Sequence, residues 1–158
     1  MKLNVVFFHP AIIENVGNIA RTCLAFNASL HLIRPYGFIF NKSRLNRSST
    51  NHFDQIDFFE YDNWDEFEQK NNGEFFLFTK IGTHSPDEIN YLNYDDKNIY
   101  LVFGNEHYGI DSEIMKKYQN NLIRIPINEN LICINVSNSV AIGCYEVSKQ
   151  FKYQLLKK

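Results

Sequence analysis

Six short apolar runs, each bounded by turn residues, restrict the possible folds of this chain more than any other pattern. They predict strands at residues 3–8, 30–33, 56–61, 75–78, 99–103 and 122–125. Several runs are continuous rather than alternating, which is typical of strands covered on both faces. Helical patterns at residues 16–26, 64–70, 112–118 and 137–156 separate or follow them. We therefore predict an α/β fold, with a mostly parallel sheet and helices on both faces.

The length of 158 residues and the 44% hydrophobic content suit one domain with a real core, so we expect a single domain over residues 1–158. The apolar runs are far shorter than the roughly 20 residues of a membrane span, and the N-terminus lacks a signal-peptide pattern. We expect a cytoplasmic protein with no membrane contact, whose last residues, Lys157 and Lys158, fray.

The three cysteines, Cys23, Cys133 and Cys144, are an odd set without CxxC spacing, and each lies in an apolar stretch. We expect buried free thiols. No His, Cys or Asp cluster has the spacing of metal ligands, so we expect no metal.

A net charge of −2 and a pI near 6.2 provide no overall field that would attract nucleic acid. Any RNA-binding surface must be local. The candidate is Lys42, Arg44 and Arg47, which lie in a polar stretch almost without acids. An ordinary solvated helix or loop explains the same stretch equally well.

Three polar or Gly-containing segments follow predicted strands, where ligands bind in open α/β sheets. The first, residues 14–22, contains Asn15, Gly17, Asn18 and Arg21 but neither a GxGxxG motif nor a phosphate-binding loop. Asn15 and Asn18 could cap a helix here, and Arg21 could be a solvated arginine.

The second segment is the turn from Gly104 to Gly109, with Glu106 inside it. Glycine lets a ligand approach the backbone, and a carboxylate can accept hydrogen bonds from ribose hydroxyls or an amine. The third, residues 123–127 and 133–141, ends in an Asn/Ser cluster at the start of the final helix. Capping needs one residue, whereas this cluster supplies four.

The three segments read NxGNxxR (residues 15–21), FGxExxG (103–109) and IRIP…NxSNSVA (123–141), in this order. The ordered set resembles the SPOUT superfamily of RNA methyltransferases, and most closely the minimal tRNA wobble cytidine/uridine 2′-O-methyltransferases. The resemblance implies a deep C-terminal trefoil knot, S-adenosylmethionine as cofactor with S-adenosylhomocysteine as product, a tRNA substrate, and a homodimer formed through the knot region.

The resemblance also implies roles for individual residues. The cofactor-binding positions are Phe78, Thr79, Gly104, Asn105, Glu106, Gly109, Ile125, Cys133, Ile134, Asn135 and Ser137. The catalytic positions are Arg21, Tyr145 and Asn15. For RNA binding we expect Arg21 together with the basic residues Lys42, Arg44 and Arg47 named above. Because a guanidinium stays protonated and is a poor base, we expect Arg21 to hold the target phosphate and stabilise the developing alkoxide.

The chain departs from the wobble enzymes at three positions, since they more often have Pro, Arg and Ser where Asn105, Tyr108 and Cys133 stand. Three alternatives therefore stay open: a SPOUT enzyme acting on another tRNA or rRNA ribose, a noncatalytic knotted RNA-binding factor, and a generic nucleotide-binding α/β protein.

Overall fold

The computed structural model describes residues 1–154 and 156, and a six-stranded parallel sheet lies at its centre. The strand order is β3-β2-β1-β5-β4-β6. The strands are β1 (Leu3–Phe8), β2 (Ser29–Ile33), β3 (Phe58–Tyr61), β4 (Glu74–Phe78), β5 (Ile99–Phe103) and β6 (Leu122–Ile123). All pairings between these strands are parallel, so the predicted fold class is confirmed.

The helices are α1 (Ile13–Ala25), α2 (Lys42–Ser48), α3 (Trp64–Lys70), α4 (Ser112–Lys117) and α5 (Val136–Gln150). Alternate residues of each strand point to opposite sides of the sheet. Val5 and Phe7 pack in one apolar cluster with α1 and α5, whereas Val6 and Phe8 pack in another with α3 and α4. The continuous apolar runs thus arise because helices cover both faces of the sheet, as predicted.

The helix termini differ from the prediction at both ends of the chain. α1 begins at Ile13, three residues before the predicted start, and its N-cap residue makes no side-chain cap. Asn15 and Asn18 therefore lie inside the helix, and the capping role considered for them is wrong. α5 ends at Gln150 rather than at 156, because Lys152 and Tyr153 adopt positive φ values of 55° and 53°. The expected fraying of Lys157 and Lys158 lies outside the described residues.

Two strands are shorter than predicted, and one connection is less exposed than expected. A 3-10 turn at Phe53–Gln55 delays β3 to Phe58, and β6 ends at Ile123. The polar composition of segment 82–98, which includes Pro86, is typical of a surface connection, but the segment contains the 3-10 turns Pro86–Glu88 and Tyr91–Tyr94, and Tyr91 is fully buried. That aromatic ring packs edge-on against Phe76.

The strand order brings the functional loops together. From β1 the chain proceeds towards one edge of the sheet through β2 and β3. It then crosses to the opposite half, where β4, β5 and β6 lie, so β1 and β5 are adjacent although they are distant in sequence. Such a point leaves a crevice beyond the carboxyl ends of the strands. The loops that follow β1, β4 and β5 all face this crevice.

Candidate active site

A cavity of about 520 Å³ occupies this crevice. It is lined by residues that follow β1, β4 and β5 and by the segment that leads into α5. The predicted cofactor residues that line it are Phe78, Thr79, Gly104, Asn105, Glu106, Gly109, Ile125, Cys133, Ile134 and Asn135. Ser137 is the predicted cofactor residue that does not line it; instead, its backbone N–H and hydroxyl donate to the Asn135 side chain.

The turn after β5 is held closed by Asn105. The Oδ1 atom of this buried residue accepts from the backbone N–H groups of His107 (2.7 Å) and Tyr108 (3.1 Å). Its Nδ2 donates to the carbonyl of His9 at 2.7 Å, which ties the turn to the end of β1. Gly109 has a φ of +74°, a conformation that favours glycine. The departure from the family pattern at Asn105 therefore has a clear structural role.

Glu106 joins the same turn to the start of α1. Its carboxylate accepts from the backbone N–H groups of Ala11 (2.8 Å) and Ile12 (3.1 Å) and from Asn15 Nδ2 (3.2 Å). These donors surround the amino end of α1, where a negative charge is stabilised by the helix dipole. The carboxylate thus replaces the missing N-cap, and its oxygens are already hydrogen-bonded within the protein.

Asn135 connects the third segment to the other two. Its Oδ1 caps α5 by accepting from the Ser137 N–H at 2.8 Å, and its Nδ2 donates to Asn15 Oδ1 at 3.2 Å. Asn135, Asn15 and Glu106 therefore form one hydrogen-bonded chain across the crevice. Asn15, named from the resemblance as a catalytic position, is buried in the middle of this chain and also lines the cavity.

Arg21 and Tyr145 do not line the cavity. Arg21 is exposed on α1, six residues or about 9 Å along the helix from Asn15. Among the described residues, its side chain has no hydrogen bond or ion pair. Tyr145 is 51% exposed on α5, and its hydroxyl accepts from the Tyr153 hydroxyl. Both residues thus present polar groups at the surface of two helices whose amino ends form the crevice.

The basic stretch forms helix α2, and two of its cations are paired. Arg44 donates to Glu14 Oε1 from Nε (2.9 Å) and Nη2 (2.6 Å), and Lys42 lies 3.4 Å from Asp54. The hydrogen bonds from Arg44 lower the pKa of Glu14. Arg47 is exposed, and its positive charge also favours the ionised form of Glu14.

The cysteines only partly match the prediction. Cys23 and Cys144 are buried and free, and burial raises the pKa of both thiols, that of Cys144 to about 12. Cys133 is exposed, so its predicted burial is wrong. Its neighbours Leu131 and Ile132 are also exposed, because this apolar stretch forms a wall of the cavity rather than a strand.

Among residues 1–154 and 156, no group of three His, Cys, Asp or Glu side chains is placed to hold a metal ion. No helix in this part of the chain is long and apolar enough to cross a bilayer.

Several residues of the site were not predicted. Tyr108 lines the cavity, and its hydroxyl hydrogen-bonds to Nδ1 of His9 at 2.9 Å. Burial lowers the pKa of His9. Lys80 and Ile81 line the cavity because they follow β4 directly, a position that the strand prediction could have identified. Met115 also reaches the cavity from α4, and the sequence carried no signal for it.

Proteins of known sequence or structure resemble this chain over its whole length. A candidate tRNA (cytidine(34)-2′-O)-methyltransferase of Mycoplasma genitalium is 43% identical, and the match covers 99% of this chain and 95% of the relative. A candidate RNA methyltransferase from Bacillus anthracis superposes with a TM-score of 0.91 at 36% identity, covering 99% of this chain and 98% of that chain.

Two further structures share the fold. One, from work on 2-OH methylation of C/U34 on tRNA, has a TM-score of 0.88 at 28% identity and covers 97% of this chain and 98% of that chain. AviRb from Streptomyces viridochromogenes, in complex with AdoMet, has a TM-score of 0.77 at 19% identity, covering 96% of this chain and 58% of that chain. The model of the SpoU rRNA Methylase family matches residues 2–145, and with relatives of this identity it shows that the chain belongs to that family.

Proposed function

We propose that this protein is an S-adenosylmethionine-dependent tRNA 2′-O-methyltransferase that methylates the 2′-hydroxyl of the wobble cytidine or uridine. The observation that carries the proposal is the match at 43% identity, over 99% of the chain, to a relative described as acting at cytidine 34. The neighbour described in terms of C/U34 methylation supports the same position, since it covers almost the whole of both chains.

The cavity fits S-adenosylmethionine. Its volume of about 520 Å³ lies within the range of small-molecule sites, roughly 300–1,000 Å³. Phe78, Ile125 and Ile134 offer apolar surface for a flat base. A Cβ on Gly104 would lie 2.4 Å from the Gly109 backbone, so the turn that borders the cavity has no room for a side chain at this position. These residues would hold the adenosine part mainly by apolar contacts and main-chain groups.

The reaction requires alignment more than acid–base chemistry. When bound, S-adenosylmethionine would supply the methyl group: the ribose 2′-oxygen would bond to the methyl carbon as the carbon–sulfur bond breaks, S-adenosylhomocysteine would leave, and the hydroxyl proton would pass to water. The protein orients the reacting groups by fixing the crevice through Glu106, Asn15 and Asn135. Arg21 holds the RNA phosphate and stabilises the negative charge that develops on the ribose oxygen. This assignment is supported by its exposed guanidinium, which has no partner among the described residues.

Arg21 does not line the cavity of its own subunit. We therefore propose a homodimer, formed through a deep C-terminal trefoil knot and the surface of α5, in which Arg21 of one subunit serves RNA held by the other. Support comes from Ile142 and Tyr145 on α5, which are 39% and 51% exposed. Symmetric dimers are the commonest assembly. The single domain over residues 1–158 and a cytoplasmic location belong to the same proposal.

The test is nucleotide-resolution mapping of ribose methylation in tRNA from cells lacking this protein, before and after incubation with purified protein and S-adenosylmethionine. We expect the methyl group to appear at the wobble nucleotide. Methylation of another tRNA or rRNA ribose would contradict the substrate and keep the enzyme class. No methylation at all would favour the noncatalytic RNA-binding factor.

The same assay tests Arg21. Arg21→Ala should lower the methylation rate by a factor of at least 100, whereas Lys97→Ala, which removes a cation beside the amino end of β5, should not. An unaltered rate in Arg21→Ala would remove this residue from the mechanism.

A further inference from the structure

A second depression lies beside the active-site cavity. It has a volume of about 610 Å³ and is lined by residues 11–14, residues 37–41 and Arg44. Ile12 lines both the depression and the cavity, so the two share a wall. We call it the loop depression, since most of its surface comes from the loop that follows β2.

Three of the residues that line the loop depression are apolar side chains exposed to water. Ile39 is 91% exposed, and Phe40 and Ile12 are 40% and 39% exposed. The Phe38 ring stacks on Tyr36, with ring centroids 5.3 Å apart, and lies 6.4 Å from Phe40. Clustered apolar side chains that remain in water generally mark a binding surface.

The loop is held firmly against the segment that carries the active-site contacts. The N–H of Gly37 donates to the carbonyl of Pro10 at 2.9 Å, and a Cβ on Gly37 would lie 2.8 Å from Ala11 Cα. Ala11 and Ile12 are also the residues whose N–H groups bind Glu106. The loop depression and the cofactor turn are therefore both hydrogen-bonded to the backbone of residues 10–12.

The charged side chains of the loop depression are paired with each other. The Arg44 guanidinium donates to Glu14, and Asn41 Oδ1 caps α2 by accepting from the backbone N–H of Arg44 at 3.0 Å. The exposed side chains of Ile39 and Phe40 offer stacking and apolar contact beside them. Arg44 lies at the border, where its charge can contact a phosphate once Glu14 gives way.

We propose that the loop depression binds a nucleobase of the substrate RNA next to the methylated nucleotide, through stacking and apolar contact with Ile39 and Phe40. The proposal rests on the function proposed above. It gives a role to exposed apolar side chains in a depression that shares Ile12 with the cavity, in a protein with a net charge of −2. Single-stranded loops, with unstacked bases, are the usual targets of such surfaces in RNA recognition.

The experiment measures equilibrium binding of tRNA to the full chain and to Ile39→Ser and Phe40→Ala. Base stacking predicts binding about five- to tenfold weaker in Phe40→Ala and a smaller loss in Ile39→Ser. The matched control is Leu92→Ser, a 48% exposed apolar residue in the cavity at the amino ends of the strands, which should bind tRNA like the unchanged protein. Because Phe40 also contacts Phe53 and Phe58, thermal unfolding is recorded for each variant.

Abasic tRNAs identify the contact. Removing the base on one side of the wobble nucleotide should weaken binding to the unchanged protein and weaken binding to Ile39→Ser, the more exposed and structurally safer variant, by a smaller factor. Equal losses in both proteins would overturn the proposal. So would a change in oligomeric state of Ile39→Ser by light scattering, which would assign the surface to a second copy of the chain.

Methylation mapping in the same samples separates the two proposals. If the unchanged protein methylates another position, the proposed function fails, while the abasic series moved to that position still tests the loop depression.

Discussion

Glu106→Gln tests whether one carboxylate holds the cofactor turn to the start of α1. Glutamine has the same shape, but one of its two terminal atoms is an NH2 group that cannot accept a hydrogen bond. Its oxygen can still accept from Ile12 N–H and Asn15 Nδ2, which share Oε1 in the native structure. The N–H of Ala11, which donates to Oε2 at 2.8 Å, then faces another donor.

The cost follows from these contacts. A part-buried donor left unsatisfied costs about 1–3 kcal/mol, and loss of the charge weakens each of the two remaining hydrogen bonds by about 0.5–1 kcal/mol. Loss of the interaction with the α1 dipole adds about 0.3–1 kcal/mol. We expect the free energy of unfolding to fall by about 3 kcal/mol, which corresponds to roughly a hundredfold change in the unfolding equilibrium constant.

Urea unfolding monitored by the fluorescence of Trp64, the one tryptophan, measures this change. Glu113→Gln is the matched control, because this exposed carboxylate is likewise near the amino end of a helix, in the first turn of α4. Its loss should change the free energy of unfolding by less than about 0.5 kcal/mol. A loss below about 1 kcal/mol in Glu106→Gln would refute the reasoning that the carboxylate joins the turn to α1.

Two further predictions concern ionisable groups other than the Glu106 carboxylate. Burial, reinforced by the charge of Lys2, lowers the pKa of His31 from 6.5 to about 4, so the unfolded chain binds a proton that the folded chain does not. With respect to His31, the free energy of unfolding is therefore highest above pH 6.5 and falls as the pH drops towards 4, because protonation favours the unfolded chain. Between pH 7 and pH 5 the free energy of unfolding should drop by about 2 kcal/mol. In urea titrations, His31→Gln should lose this dependence on pH. A thiol reagent should react rapidly with the exposed Cys133, and with Cys23 and Cys144 only after the protein unfolds. Because Cys133 lines the cavity, S-adenosylmethionine should slow its reaction. Equal reaction rates for all three thiols would contradict the observed burial.

The fold class could be predicted because its signals are local. Continuous apolar runs require a covered sheet. Helix α4 begins at the predicted residue 112 because its cap is local: the Asp111 side chain accepts from the Glu113 N–H at 2.9 Å. The ends of elements were less predictable, since they depend on distant partners. α1 begins at Ile13 because a carboxylate 93 residues further along the chain supplies the hydrogen bonds that a local cap would otherwise provide.

The residues that line the cavity could be predicted from motifs, because glycines and small polar residues are needed after strands where a ligand approaches the backbone. The roles of the individual residues could not be predicted in this way. From the sequence, Glu106 looked like a group available to a ligand, and Cys133 looked like a buried thiol. The packing of β5 beside β1 gives Glu106 three protein donors, and the position of residues 131–134 at the mouth of the crevice leaves Cys133 exposed.

The sequence by itself determined the alternation of strands and helices, the covered parallel sheet and the three segments that carry the chemistry, because apolar periodicity and turn residues act over a few neighbouring positions. Only the tertiary structure decided that Asn15, Glu106 and Asn135 form one hydrogen-bonded chain and that Ile39 and Phe40 line a depression that shares Ile12 with the cavity. These relations join positions far apart in the chain, and the order in which the strands pack sets the distances between them.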